Sequence, residues 1–426
     1  MGADAIHPGY GFLSENADFA ERAAARNVRF IGPSPQTLRT FGVKHIAREI
    51  AATVGVNLLP GTDLLADVQD AAKAAEKMGY PVILKSTAGG GGIGMQRCNN
   101  KDELLGAYAS VVEMAAANFA EAGVFVEKFL TAARHVEVQI FGDGQGGVIV
   151  LGDRDCSLQR RNQKVVEECP APNIPAQVRE ALHAQAAALG QHIHYASAGT
   201  VEFLYDSQTQ QFYFLEVNTR LQVEHGVTEL VYGIDLVEWM VRLADATLPS
   251  LETLRADLAP QGAAIQVRLY AEDPYLNFRP TPGQMDITFG KHQRLDTWVI
   301  GASQVSHWFD PLLANVMSFA ETRTESISKL STTLLDTQIH GIATNRDYLH
   351  AAINMPSFVE AEIHTGCLQD LEYVPNEFEV IHPGVQTTIQ AYPGRQGYWE
   401  VGVPPSGPMD ELSFQLGNRL LGNTAG

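Results

Sequence analysis

The chain is poor in cysteine and has no long apolar run. Its 426 residues include four cysteines, none of them in a Cys-x-x-Cys spacing. This pattern argues against a disulfide framework and against a zinc ribbon. No apolar segment approaches the roughly 20 residues of a membrane-spanning helix, and the N-terminus lacks a charged-then-apolar signal pattern. We therefore expect a cytoplasmic protein with no membrane partner.

Basic residues are scarce relative to acidic ones. Lysine and arginine number 30 against 49 aspartates and glutamates, which gives a formal net charge of −19. A chain this acidic is poorly suited to non-specific binding of nucleic acid, so no nucleic-acid partner is expected. The hydrophobic fraction of 45% is enough for substantial buried cores, and the length fits roughly three domains.

Helix-like and strand-like patterns predict an α/β (α+β) protein in several units. The predicted units are residues 1–57, 58–130, 131–374 and 377–426. The first is an incomplete α/β unit in which Ser14 caps a helix, and a later helix from about Gln36 to Ala52 carries Lys44. The second is a compact α/β unit, the third has mixed and antiparallel strands, and the fourth is the start of a β-rich domain. The early strands of an open sheet are missing, and the fourth unit stops abruptly at Gly426. We therefore expect the chain to be truncated at both ends.

A glycine-rich loop follows a predicted strand that ends near Lys85. Gly90, Gly91 and Gly92 lie in this loop, where bare backbone N–H groups can approach phosphate oxygens closely. The lysine precedes the loop, which differs from a P-loop, and no βαβ unit surrounds it as in a dinucleotide fingerprint. The pattern favours a nucleoside triphosphate site, and a flexible surface turn is the alternative.

Two glutamates are predicted to face each other across a hairpin. If the segment from Val201 to Asn218 is symmetric about Thr209, Glu202 pairs directly with Glu216. Like charges placed directly opposite are destabilising unless a cation bridges them. Mg²⁺ prefers hard oxygen ligands, so the pair predicts a magnesium site, with Asn218 on the same face. Two solvated surface glutamates are the alternative.

A polar cluster nearby predicts an anion pocket. Lys164, Arg220 and Gln222 could bind a carboxylate-like anion, because arginine offers a planar fork that matches one. Glu224 is a candidate general base beside them. A solvated basic turn around Lys164 is the alternative, and His135 is either a packed polar residue or part of the site.

These segments together resemble the biotin carboxylase component of biotin-dependent carboxylases, which has an ATP-grasp fold. The matching stretches are the glycine loop and residues 7–16, 134–139, 154–164 and 216–225. The resemblance implies an incomplete N-terminal α/β subdomain, a small lid subdomain at 58–130 and a larger C-terminal subdomain. It also implies a ligase that phosphorylates bicarbonate with ATP to carboxyphosphate and then carboxylates biotin, with Mg²⁺ or Mn²⁺ as the metal.

The resemblance also implies a role for each matching position. Lys44 and Lys85 resemble ATP-phosphate ligands, and Glu202, Glu216 and Asn218 resemble the metal ligands. Glu224 resembles the base that deprotonates bicarbonate, and Arg294 the arginine that stabilises the biotin enolate. The remaining nucleotide-side and bicarbonate-side positions are Glu127, Lys128, Leu130, His135, Gln159, Lys164, Arg220, Gln222 and Val223.

Residues 377–426 resemble the start of the carboxyltransferase domain of urea carboxylases, in the stretches 393–399 and 402–410. This implies carboxylation of urea to allophanate as the overall reaction. No Ala-Met-Lys-Met-like biotinylation site is present, so the biotin carboxyl carrier domain is expected on other sequence, along with the rest of the carboxyltransferase domain. Relatives often form homodimers. The alternatives are the corresponding subunit of an acyl-CoA carboxylase and a nucleotide-binding fragment without turnover.

Overall fold

The computed structural model describes residues 2–86, 94–118, 123–369, 371, 373–374, 382, 384–385, 392–395 and 397–422. The chain divides into two compact units, Met1–Pro375 and Asn376–Gly426. In the described ranges, no helix combines the length and the apolar character needed to cross a membrane. The predicted loop residues Gly90, Gly91 and Gly92 lie outside the described residues.

The N-terminal segment is a small parallel strand pair with three helices. Its elements are β1 (Ala5–Ile6), α1 (Ala17–Ala24), β2 (Arg29–Phe30), α2 (Pro35–Phe41) and α3 (Lys44–Thr53). Two details differ from the sequence predictions. The cap of α1 is Asn16, whose side chain accepts a hydrogen bond from the Phe19 N–H, so the assignment to Ser14 was wrong. The predicted helix from Gln36 to Ala52 is broken at Gly42 and Val43, so that Lys44 is the first residue of α3.

The next segment is a three-stranded antiparallel sheet with two helices. Its elements are α4 (Val68–Met78), β3 (Val82–Ser86), β4 (Met95–Cys98), α5 (Lys101–Asn118) and β5 (Val124–Lys128). The strand order is β4-β3-β5. Alanines of α4 and the buried side chains of β3 and β5 form a separate small core. This register pairs Ile83 with Glu127 and Lys85 with Phe125, so Lys85 and Glu127 lie on one face of the sheet.

An eight-stranded antiparallel sheet dominates the rest of the first unit. Its first half consists of β6 (Ala133–Asp143), β7 (Val148–Arg160), β8 (Gln163–Cys169), β9 (Ala196–Asp206) and β10 (Gln211–Asn218), with α6 (Ala176–His192) after β8. Side chains of α3 and α6 share a core with this half. Helices α7 (His225–Tyr232), α8 (Leu236–Ala244) and α9 (Leu251–Ala256) follow. Because helices cover these strands, charged side chains in them are buried.

The sheet is completed by later strands. These are β11 (Ala263–Tyr270), β15 (Arg294–Thr297) and β17 (Leu312–Ala320), which give the order β10-β9-β6-β7-β8-β11-β17-β15. The smaller elements between and after them are β12 (Glu272–Asp273), β13 (Arg279–Pro280), β14 (Gly283–Thr288), β16 (Ser303–Val305), α10 (Arg323–Asp336), β18 (Gln338–His340), α11 (Arg346–Asn354), α12 (Pro356–Val359) and a 3₁₀ turn at Cys367–Gln369. Helices α10 and α11 pack with β8, β11 and β17 in the largest core.

The regular elements among the described residues of the second unit are helical. It contains a 3₁₀ turn at Trp399–Val401 and α13 (Glu411–Leu420), which Asp410 caps. The sequence also predicts strand-like segments at 378–381 and 385–391; apart from Val385, which lies in a turn, they fall outside the described residues.

Candidate active site

A cavity of about 460 Å³ is lined by residues from both the three-stranded and the eight-stranded sheets. The structure brings most of the predicted site residues to its wall. These are Lys44, Lys85, Lys128, Leu130, His135, Gln159, Lys164, Glu202, Glu216, Asn218, Arg220, Gln222, Val223 and Glu224. Residues far apart in the sequence thus share one concave surface, which is the usual form of a small-molecule site.

Glu202 and Glu216 occupy opposing positions on β9 and β10. Near the turn, Gln211 pairs with Asp206, and a register irregularity between Phe214 and Glu216 shifts the pairing by one residue. This shift brings Glu216 opposite Glu202, as the sequence predicted. Without it, the two carboxylates would be offset.

The two carboxylates have very different surroundings. Oε1 of Glu202 accepts hydrogen bonds from Asn218 Nδ2 and Gln222 Nε2, each at 2.9 Å. Burial would raise the pKa of Glu202, but Lys164 and His135 hold it well below its usual range. Among the described residues, the Glu216 side chain has no hydrogen bond or ion pair, and burial and the nearby Glu202 charge raise its pKa. The pair therefore has one satisfied carboxylate and one with free acceptor capacity.

Lys164 connects three buried carboxylates. Its ammonium group lies 2.6 Å from Glu137 Oε2, 2.8 Å from Glu202 Oε1 and 2.7 Å from Glu224 Oε1. Burial would lower the pKa of Lys164, but these carboxylates raise it well above its ordinary value. An ammonium has three N–H donors. Three carboxylates surround the Lys164 ammonium, so each donor has a protein partner in this structure. The solvated basic turn considered for Lys164 is therefore not what forms.

Glu224 is held by two cations. Besides Lys164, Arg268 donates to Glu224 Oε2 at 3.0 Å and to Glu167 Oε1 at 2.5 Å. Burial would raise the pKa of Glu224, but Lys164, Arg268 and Arg154 hold it well below its usual range. Burial raises the pKa of Glu167 to about 7 against the opposing effect of Arg268. The two cations thus favour the ionised form of Glu224.

Arg154 lies fully buried behind this wall. Its guanidinium donates to acceptors on β6, β9, α7 and the loop before α7: Glu137 Oε1 at 2.5 Å, Gln139 Oε1 at 2.7 Å, Thr228 Oγ1 at 2.9 Å, Gln222 Oε1 at 3.0 Å and Thr200 Oγ1 at 3.2 Å. Its Gln222 contact orients the amide that donates to Glu202. Arg154 therefore fixes the positions of residues that line the cavity.

Lys44, Lys85 and Lys128 also line the cavity, and among the described residues only Lys85 forms an ion pair with a carboxylate. Lys85 is ion-paired with Glu127, which also pairs with Arg48. Lys44 is mostly buried, and burial together with the nearby Lys85 charge lowers its pKa. Lys128 donates to the Gly79 carbonyl at 2.8 Å. This wall offers cationic groups to an anionic ligand.

His135 links the polar wall to β7. Its Nε2 lies 2.8 Å from Glu202 Oε2, and its Nδ1 lies 2.7 Å from Gln159 Nε2. Burial would lower the pKa of His135, but the Glu202 charge raises it above its ordinary value. The nearby Cys156 thiol is fully buried, and burial followed by the Glu137 charge raises its pKa well above its ordinary value. Cys156 is therefore held as a thiol, and this does not suit a nucleophile.

Arg220 lines the cavity and contacts two polar side chains. The Nε of Arg220 is 3.3 Å from Glu15 Oε2, and its Nη2 donates to Asn218 Oδ1 at 3.2 Å. Arg294 does not line the cavity. It pairs with Glu229, and its Nη2 lies 3.5 Å from His225 Nε2, next to Glu224 in the sequence.

The donor set fits a hard divalent cation. Glu216 supplies a carboxylate with free acceptor capacity, and Glu202 opposes it across the hairpin. Oxygen ligands of this kind suit Mg²⁺. The ligand atoms of His135, Glu137 and Glu202 also lie within 4.8 Å of one another. The Lys164 ammonium already contacts Glu137 and Glu202 of this second group, so the group is a poorer site for a metal.

Several site residues were not identified from the sequence. They are Glu137, Arg154, Glu167 and Arg268. For Glu137 and Arg268 the signal available in the sequence was a charged residue among apolar strand residues, whereas Arg154 and Glu167 lie in strands with several other polar residues. Uncompensated burial of a charge is costly, so a charged residue in such a strand predicts a partner on a neighbouring strand.

Models of four domain families match successive parts of the chain. They are described as biotin carboxylase, N-terminal domain (residues 1–38); carbamoyl-phosphate synthase L chain, ATP binding domain (44–251); biotin carboxylase C-terminal domain (266–370); and carboxyltransferase domain, subdomain A and B (401–426). The first three together cover the unit that contains the cavity.

Individual proteins match over similar ranges. Urea amidolyase of Saccharomyces cerevisiae is 49% identical over 422 residues, which cover 99% of this chain and 23% of that protein. Biotin carboxylase 2 of Bacillus subtilis is 44% identical and is covered over 83% of its length by 86% of this chain. The chain spans between 23% and 35% of the length of the first three curated relatives it matches.

A solved structure with the same fold contains ligands. It is the biotin carboxylase domain dimer of 2-oxoglutarate carboxylase from Hydrogenobacter thermophilus, in complex with MgADP, ADP and bicarbonate. Its sequence is 35% identical, the TM-score is 0.81, and the match covers 88% of this chain and 84% of that one.

Proposed function

The chain belongs to the biotin carboxylase family, which has the ATP-grasp fold, and on this premise we propose that it carboxylates biotin with ATP and bicarbonate as part of a urea carboxylase. The observation that carries the proposal is the buried Lys164, which joins Glu202 of the hairpin to Glu224. One charge network thus connects a metal-type carboxylate pair with a candidate base.

The nucleotide is assigned to the cationic side of the cavity. Lys44 and Lys85 are the proposed phosphate ligands, and Lys44 is already destabilised as a cation by burial. An incoming phosphate restores favourable interactions to both ammonium groups. The remaining proposed nucleotide contacts are Gly90, Gly91, Gly92, Glu127, Lys128, Leu130, His135 and Gln159.

The metal is assigned to Glu202, Glu216 and Asn218. When bound, Mg²⁺ neutralises phosphate charge and orients the nucleotide. The free acceptor capacity of Glu216 supports this assignment, because Glu202 already has several partners. Mn²⁺ has a similar preference for oxygen ligands and is the expected substitute.

Bicarbonate is assigned to the wall formed by Lys164, Arg220, Gln222 and Val223. Glu224 takes the proton from the bicarbonate hydroxyl, and the resulting oxygen attacks the terminal phosphorus of ATP, which releases ADP and leaves carboxyphosphate. A carboxylate with a strongly lowered pKa is a weak base. An anion near Lys164 and Arg268 draws part of their positive charge away from Glu224 and raises its pKa, so we propose that bicarbonate itself prepares the base.

Biotin is assigned to the region near Arg294. When bound, it supplies the ureido nitrogen that accepts the carboxyl group. Arg294 carries a guanidinium fixed between Glu229 and Asp296, and it is proposed to stabilise negative charge on the ureido oxygen. Biotin is expected to arrive on a carrier domain.

The urea assignment rests on sequence relatives. Urea amidolyase matches nearly the whole chain, and residues 401–426 match the carboxyltransferase model. The match of residues 401–426 to a carboxyltransferase model does not support the alternative of an acyl-CoA carboxylase subunit. A carrier domain, the remainder of the carboxyltransferase domain and a second copy of the chain are the proposed partners, the last because the Hydrogenobacter domain forms a dimer.

The first experiment measures ADP formation by the chain with Mg-ATP and free biotin, with and without bicarbonate. Bicarbonate-dependent ADP formation is expected. ATP binding without bicarbonate-dependent turnover would contradict the proposal and favour a nucleotide-binding protein. Labelled bicarbonate, with urea and with added carrier and carboxyltransferase domains of a urea carboxylase, tests the acceptor. Label in allophanate is expected, and a labelled carrier that passes no label to urea would count against the urea assignment.

A further inference from the structure

We propose that Arg48 is a positioning residue that sets nucleotide affinity by allowing Lys85 to leave Glu127 for a phosphate. The inference rests on the proposed nucleotide site. Arg48 is in α3, one turn after Lys44, and it reaches the Glu127 carboxylate of β5. It thereby connects the N-terminal segment to the three-stranded sheet.

Glu127 is a buried carboxylate shared by two cations. Only 3% of the residue is exposed. Nη1 of Arg48 contacts Oε1, and the Lys85 ammonium contacts Oε2, so the two cations occupy different oxygens. Arg48 also donates to the Leu59 carbonyl at 3.3 Å, which holds the guanidinium in place.

The backbone leaves room for this arrangement at Gly61. A Cβ at this position would lie 3.1 Å from the Glu127 Cγ and 3.2 Å from Nη2 of Arg48. A side chain here would therefore press on both members of the ion pair. The bare backbone lets Arg48 approach Glu127 closely.

Arg48 acts from outside the nucleotide cavity. It lines a different cavity of about 700 Å³, together with residues of the 58–64 segment, whereas Lys85 lines the cavity with the other predicted site residues. The ion-pair route from Arg48 to the nucleotide cavity therefore runs through Glu127 and Lys85.

The charge balance determines the direction of the effect. When Lys85 turns to a phosphate, Glu127 stays buried and needs another cation, because an uncompensated buried charge is costly. Arg48 supplies that cation. Without it, Lys85 is the only cation left on Glu127 among the described contacts, and binding a phosphate must first break that pair.

A double-mutant cycle separates this role from a purely structural one. The variants are R48M, E127Q and R48M/E127Q, with R48K as the conservative change, and the measurement is the Kd of MgADP by calorimetry. R48M is expected to weaken MgADP binding about tenfold, and R48K by less, because it keeps a cation. In the E127Q background, the same R48M change is expected to cost less than about threefold, because no buried charge then needs Arg48.

The control is R39M. Arg39 lies in α2 and pairs with Asp18 and Glu21 at the surface, so its loss should leave the Kd unchanged. The KM for ATP is expected to rise in R48M, while the KM for bicarbonate stays within about twofold. An equal cost of R48M in both backgrounds, or an unchanged Kd in R48M, would overturn this inference. A wild-type chain that does not bind MgADP would overturn the proposed nucleotide site instead. If R48M does not fold, R48K and the double variant provide the comparison.

Discussion

Glu216 lies directly opposite Glu202 because a one-residue irregularity at Leu215 shifts the register of their hairpin. The pairing places two carboxylates on one face, and only Glu202 has hydrogen-bond partners among the described residues. The relationship supports a cation between them and leads to the first prediction.

Glu216→Ala is expected to weaken Mg²⁺-ATP binding at least about tenfold, because it removes a proposed metal ligand. Mutation of residues that only hydrogen-bond to a metal ligand can already reduce metal affinity by that factor. A metal titration monitored by nucleotide binding measures it. Glu252→Ala, at an exposed position in α9, is the matched control. An unchanged titration in Glu216→Ala would remove the hairpin from the metal site.

Glu224→Gln is expected to reduce bicarbonate-dependent ADP formation about 10²–10⁴-fold, because the amide cannot accept the proton. MgADP binding should remain largely intact, since Glu224 is assigned to the bicarbonate wall. Steady-state turnover and calorimetry measure the two effects, with the exposed Glu325→Gln as control. Near-normal turnover would mean that another group is the base.

The pH dependence of turnover should report the charges around Glu224. Because Lys164 and Arg268 lower the pKa of Glu224, this carboxylate stays ionised until the pH falls through that lowered value, and its function as a base is lost below it. Removing Arg268 raises the pKa, so the acid limb should move to higher pH. Arg268→Met combined with Glu167→Gln tests this without leaving Glu167 uncompensated, and Glu167→Gln alone is the control. The measurement is kcat/KM at fixed bicarbonate concentration, and a stationary acid limb would refute the explanation.

Arg154→Met is expected to lower the free energy of unfolding by about 3–5 kcal/mol, because it leaves Glu137 without one of its buried cations. Arg154→Lys should recover only part of this, since an ammonium cannot reach all five acceptors. Guanidinium unfolding measures the change. Arg242→Met removes an exposed ion pair and should cost no more than about 1 kcal/mol. A similar loss in both variants would show that burial of Arg154 is not what matters.

Strand alternation and motif spacing predicted the fold class and part of the cavity wall, and the resemblance to the biotin carboxylase family predicted most of the remaining wall residues. The sequence also predicted the Glu202–Glu216 pair, although the assumed symmetry about Thr209 held only through the irregularity at Leu215. The split of the Gln36–Ala52 helix was missed, since glycine at position 42 is tolerated inside helices.

The ion-pair network was beyond the sequence for a different reason. Arg268 and Glu167 are about a hundred positions apart, and they meet because β8 and β11 pair in the sheet. A charged residue in an apolar strand indicates that a partner exists, but strand order determines which residue it is. The partners of Arg154 and Lys164 were hidden in the same way.

Lys44 places a positive charge where the surrounding structure disfavours one. It is a half-buried ammonium at the first position of α3, where the helix dipole also repels positive charge, and the preceding Val43 provides no side-chain cap. These effects destabilise the start of α3, and a bound anion near the Lys44 ammonium offsets them. Part of the folding stability of this region is thus conditional on the ligand, so amide hydrogen exchange at the start of α3 should slow more than at α2 when nucleotide binds.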